Sequence, residues 1–99
     1  MKTVSAIKNR ILQLCGERNI SINKLSTISA VPPSSVKNIL YGKSQNPKIT
    51  TIKMLCDGLE ITLGKFFSTP EFDALEQEIE WTLAVKWDRP SPKNPNIDI

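Results

Sequence analysis

The stretch that decides the reading is Ser21–Pro47, SINKLSTISAVPPSSVKNILYGKSQNP. It holds two short apolar patterns at helical spacing. Ile22, Leu25 and Ile28 form the first, and Val36, Ile39 and Leu40 the second, across a gap too short to wander. Ser21 suits the N-cap of the first helix, because its hydroxyl can accept from a free backbone N–H. Pro33 fits the first turn of the second, where a missing N–H costs nothing. Gly42 closes that helix, and KSQNP is a polar loop stopped by Pro47.

Two short helices joined by a tight turn, the second of them exposed, make a helix-turn-helix. Such a pair lays its second helix in the major groove of DNA while the first crosses the backbone. Inward apolar residues must set the angle, and Leu25, Val36 and Ile39 meet that need. Short polar or basic residues must stand outward to reach base edges, and Ser34, Lys37 and Asn38 do so.

Working outward, Val4, Ile7, Ile11 and Leu14 predict an amphipathic helix over roughly residues 4 to 18, with Asn19 as a left-handed stop. Downstream, Thr50 is placed to cap a fourth helix carrying Ile52, Leu55, Cys56 and Leu59. Thr62 is placed to cap a short fifth one with Leu63, Phe66 and Phe67. The expected architecture is all-α, a five-helix bundle over residues 1–68.

The segment STPEFDALEQEIEW starts afresh. Thr69 as N-cap, Pro70 at the first position and Glu71 at the positive helix end predict an acidic helix over 69–87. Its stripe of Phe72, Leu75 and Ile79, extended by Leu83, serves either as a dimer interface or as a face folded back on the bundle. Phe66, Phe67 and Trp81 are read as packing residues. Residues 88–99 carry three prolines in a polar stretch and are expected to be disordered or loosely extended.

Composition narrows the function. Ninety-nine residues with 39% apolar content make one small domain with a modest core. No run of about 18 apolar residues exists to cross a membrane. The N-terminal stretch has no signal-peptide pattern, so cytoplasmic residence is expected. Cys15 and Cys56 both fall on apolar helix faces and read as buried free thiols. There is no histidine, which removes the usual general base and the commonest zinc ligand. Neither a metal site, a cofactor nor an enzyme is expected.

The net charge of +3 conceals an asymmetry. Residues 1–66 carry ten cations against three anions, +7, and residues 67–99 three against seven, −4. A basic front implies a polyanionic partner, and the acidic helix should lie away from it.

With these residues in place, the chain resembles the Cro/C1-type (XRE-type) helix-turn-helix regulators over about residues 5 to 68, a lambda-repressor-like fold. Leu25, Val31, Val36, Ile39, Gly42, Lys43 and Pro47, then Leu55, Leu59, Leu63 and Phe67, stand at the family's spacing. Several positions depart from it. Ile22 replaces a glutamine that contacts a phosphate in the family, and Ser26 replaces an alanine. Ala30 replaces the glycine of the turn, Pro32 a capping serine, and Glu60 a glycine near the end of helix four, with Gly58 two positions earlier.

By family position, the resemblance implies Pro33, Ser34, Lys37 and Asn38 as groove-facing residues. Lys37 matches guanine O6 and N7, and Asn38 matches adenine N6 and N7. The plainer alternative is an ordinary solvated helix face. Candidates for the DNA backbone are Arg10, Ser21, Asn23, Tyr41, Lys43, Ser44, Gln45 and Asn46, with Tyr41 equally suited to cover the edge of the core. Lys48, Lys53 and Lys65 are read as solvent-facing.

The resulting expectation is a sequence-specific, double-stranded DNA-binding regulator acting as a repressor and a homodimer. The competing reading is an antitoxin or adaptor on the same fold, with a protein partner bound through the C-terminal helix. RNA binding ranks lower, since no aromatic platform for single-stranded bases is visible.

Overall fold

The computed structural model describes residues 1–79. These fold as α1 (Thr3–Arg18), α2 (Ile22–Ser29), α3 (Pro33–Leu40), α4 (Ile49–Leu59), α5 (Leu63–Phe66) and α6 (Pro70–Asp73), with no strand among the described residues. The core lies where α1 to α5 converge, on Ile11, Leu25, Val36, Leu55, Leu59 and Phe66. Cys15 and Cys56 are free and buried within it, as their place on the apolar faces predicted.

Three helix ends share one local device. Asn19, Ala30 and Glu60 take the left-handed conformation, with φ of 55°, 55° and 59°. At each, the amide of the next residue reaches back across the last turn: Ile20 to the Cys15 carbonyl (3.0 Å), Val31 to Ser26 (3.2 Å) and Ile61 to Cys56 (3.0 Å). These are Schellman closures, in which an apolar residue after the stop docks on the core. The αL stop is a glycine position in most helices, because a Cβ is strained there. Asparagine at 19 tolerates it, whereas alanine at 30 and glutamate at 60 do so at a cost.

The starts follow local chemistry less uniformly. The Ser21 hydroxyl accepts from the Lys24 amide at 3.0 Å, and Thr62 Oγ1 accepts from the Lys65 amide at 3.0 Å. Thr50 does not cap α4. That helix begins one residue earlier, at Ile49, behind an extended Lys48 with ψ 140°, and no side chain caps it among the described residues.

Helices α2 and α4 cross closely at Gly58. A Cβ there would stand 2.2 Å from Ser29 Oγ, 2.9 Å from Ser29 Cα and 3.0 Å from the Ile28 carbonyl oxygen. Gly58 is therefore a packing residue, and it sets how deeply α2 sits on the core.

Among the described residues, the acidic helix expected over 69–87 is interrupted early. Thr69, Pro70 and Glu71 start it as expected, but helix ends at Asp73 and residues 74–79 continue without it. Phe72 turns inward, its ring edge-on to Phe67 at 4.9 Å and 6.2 Å from Phe66. The Glu76 amide then reaches the Met1 carbonyl at 3.4 Å. Docking on α1 and on the phenylalanines outweighs helix propagation, which is weak in so short a segment. Phe72, Leu75 and Ile79 consequently share no helical stripe: the first two are half-buried and Ile79 is exposed. Leu83, Trp81, the rest of the helix expected to residue 87 and the tail 88–99 lie outside the described residues.

Candidate nucleic-acid interface

The α2–α3 pair is built as a rigid bracket. Leu25 and Val36 are fully buried, Val31 locks the turn between them, and Pro32 and Pro33 set the entry to α3. Ile39 and Leu40 close the inner face of α3. With that face committed to the core, Pro33, Ser34, Lys37 and Asn38 are all exposed on the other side. An eight-residue helix is about 12 Å long, which matches roughly four base pairs along a groove.

The loop after α3 is folded back on it. Gly42 takes φ 81°, the Ser44 amide donates to the Asn38 carbonyl at 2.9 Å, and Gln45 Nε2 donates to the Gly42 carbonyl at 2.7 Å. Tyr41 is 73% exposed, so it does not cover the core edge. Lys43, Gln45 and Asn46 are exposed and Ser44 is half-buried.

Sequence reasoning missed the far wall of this surface. Asn38, Ser44 and Asn46 line an open groove together with Lys48 and Thr51 at the start of α4. The α4 end brings uncapped backbone N–H groups and the positive end of a helix dipole, with no acidic residue in its first turn. The signal lay in KITT, where a lysine precedes two threonines without an aspartate or glutamate. Lys48 is solvent-exposed, as the sequence predicts, and also lines this groove.

On α2, Ser21 and Asn23 are exposed at the N-terminal end. Ile22, at the family's glutamine position, is partly buried against the core. It gains packing and offers no polar group to a phosphate.

Arg10 requires a correction. It is 7% exposed, and its guanidinium faces inward. Nε donates to the Phe66 carbonyl at 2.7 Å, one terminal nitrogen to the Lys65 carbonyl at 2.9 Å, and the other to Gln13 Oε1 at 3.0 Å. A cation there satisfies the carbonyls at the end of α5 and complements its dipole. Those bonds occupy the fork that a phosphate would need, so Arg10 is a structural residue.

Cys15 and Cys56 are not reactive-site thiols. Burial pushes both above their ordinary value, and at Cys56 the nearby Lys53 and Arg10 charges offset this in part.

Comparison with known proteins places this geometry. The family model of the Cro/C1-type HTH DNA-binding domain matches residues 10–71. Among solved structures, prophage Lp1 protein 11 is similar at a TM-score of 0.67 and 30% identity, covering 76% of this chain and 100% of that one. No curated protein sequence matches the chain.

Proposed function

The chain belongs to the Cro/C1-type helix-turn-helix DNA-binding family, and from that premise we propose that it is a sequence-specific regulator of transcription that binds double-stranded DNA through α3. The observation that carries the proposal is the two-sidedness of that helix. Val36 and Ile39 are buried, while Ser34, Lys37 and Asn38 stand free on the opposite face.

Pro33, Ser34, Lys37 and Asn38 enter the major groove, with Lys37 aimed at guanine and Asn38 at adenine. Ser21, Asn23, Tyr41, Lys43, Ser44, Gln45 and Asn46 hold the flanking phosphates, joined by Lys48 and the start of α4. Such contacts fix register without reading sequence. The protein acts by binding rather than catalysis, in the cytoplasm, and represses by occupying a promoter.

Four base pairs are too few to mark a site in a genome, so we further propose a homodimer reading two half-sites about 34 Å apart. Of the three residues expected at a self-interface, Ile79 is exposed for one and Phe72 is already engaged by the protein's own aromatics.

Selection of bound duplexes from a random library, followed by footprinting at physiological salt, tests the proposal. A palindromic consensus bound by two chains is expected. Failure to enrich any sequence would remove base reading, and a strict one-to-one complex would remove the dimer.

A further inference from the structure

The described part of the acidic segment after α6, residues 74–79, runs back beside the interface above. Phe72 anchors the segment on Phe67, and the Glu76 amide ties it to the Met1 carbonyl. Thr3 Oγ1 then donates to Glu78 Oε2 at 2.6 Å. This places Glu78 at the start of α1, the positive end of a 16-residue helix, where a carboxylate is favoured. Glu78 lines an open groove together with Lys2, Gln45, Asn46 and Pro47, over a floor that includes Val4 and Ile7. Its carboxyl is held below the ordinary carboxylate range by the Thr3 hydrogen bond and by the Lys2 charge, so it is ionised at neutral pH. Gln45 and Asn46 belong to the loop that also flanks Asn38.

We propose that the folded-back segment is an electrostatic brake on DNA binding. Glu78 occupies, beside Lys2, Gln45 and Asn46, the place where a backbone phosphate of the duplex would otherwise be neutralised. This rests on the DNA-binding reading and adds an internal competitor to it. A phosphate arriving at the groove meets a like charge well within the Debye length of about 8 Å, and must displace the segment or forgo the contact. The opposition acts on every duplex alike, because phosphates carry no sequence. It therefore sets the general hold on DNA rather than the choice of site.

The test uses the whole chain and a random-sequence duplex, with affinity measured by fluorescence anisotropy across a salt series. Glu78→Gln should bind about fivefold tighter at low salt, the effect of removing one like charge at contact distance in water. Its plot of log affinity against log salt should steepen by about one unit, one more phosphate being neutralised. Thr3→Val keeps the charge but cuts the tether, and should move affinity in the same direction by less. Glu60→Gln makes the same charge change at a residue that does not line the groove, and should shift affinity less than twofold.

If the unmodified chain binds duplex and Glu78→Gln binds no tighter than Glu60→Gln, the brake is wrong while the DNA reading stands. If Thr3→Val is unchanged, the tether does not position the charge and the device as stated falls. If neither the unmodified chain nor Glu78→Gln binds any duplex, both readings fall together. Binding by Glu78→Gln alone supports the brake in its strongest form.

Discussion

Arg10 Nε donates to the Phe66 carbonyl oxygen at 2.7 Å, joining the middle of α1 to the end of α5 across 56 positions of sequence. Both groups are buried, so removing the guanidinium strands the Phe66 carbonyl, whereas the Lys65 carbonyl keeps the Ser68 hydroxyl at 2.9 Å. Arg10→Met should lose about 2–4 kcal/mol of stability in urea unfolding, in line with losing charged hydrogen bonds in a buried setting. Arg10→Lys should recover only part, because an ammonium cannot reproduce the planar fork. The salt dependence of DNA binding by the folded Arg10→Met protein should match that of the parent. A slope shallower by about one would return Arg10 to the phosphate contacts.

Gly58 and Ser29 meet where α2 and α4 pack too closely to admit a Cβ. Gly58→Ala adds helix propensity but forces a methyl against the backbone of Ser29 and Ile28. Overpacking should win, with a net loss of roughly 1–2 kcal/mol. Ser29 Oγ is buried without a hydrogen-bond partner among the described residues. Ser29→Ala should therefore leave stability level or raise it, since no bond is lost. Thermal melts of the two single variants separate these effects.

Ala30 and Glu60 hold left-handed stops that favour glycine. Ala30→Gly and Glu60→Gly should each stabilise by about 0.5–1 kcal/mol, or several degrees in melting temperature for a domain of this size. Neither change removes a backbone closure. A drop in melting temperature for both would show that the strain argument misses a contact made by their side chains.

Within the interface, Lys37 and Asn38 should differ in kind from Lys48. Lys37→Ala or Asn38→Ala should cost about 1–3 kcal/mol on the selected site and little on random duplex. Lys48→Ala should weaken both alike and lower the salt slope by about one. Competition assays with matched and scrambled duplexes distinguish the patterns.

The two buried thiols link stability to alkaline pH. Each has its folded value raised above the ordinary 9.0, so the folded state holds a proton that the unfolded chain releases. Their contribution is fully present below about pH 9 and is lost as pH rises beyond it. Melting temperature should fall more steeply above pH 9 in the parent than in a Cys15→Val, Cys56→Val double variant. Equal slopes would assign the alkaline loss to other groups.

Most of the bundle was legible in the chain because its signals are local. A stripe at helical spacing, a serine or threonine three residues ahead of a free amide, and a turn between two short helices all act within a few residues. The α2–α3 bracket, the exposed outward face of α3, the Asn19 stop and the buried cysteines could be read that way. Gly58 and the Ala30 and Glu60 stops were visible as departures from a family pattern, but only the crossing of helices and the backbone angles gave them meaning. Tertiary structure alone decided what depends on distant partners. Arg10 turns inward because Lys65 and Phe66 end a helix beside it. Lys48 joins Asn38 because the loop between them folds back. The acidic helix stops at Asp73 because Phe72 and Glu76 find partners on other elements. Spacing along a chain reports which side of a helix a residue occupies; which neighbour that side meets is settled only when the helices pack.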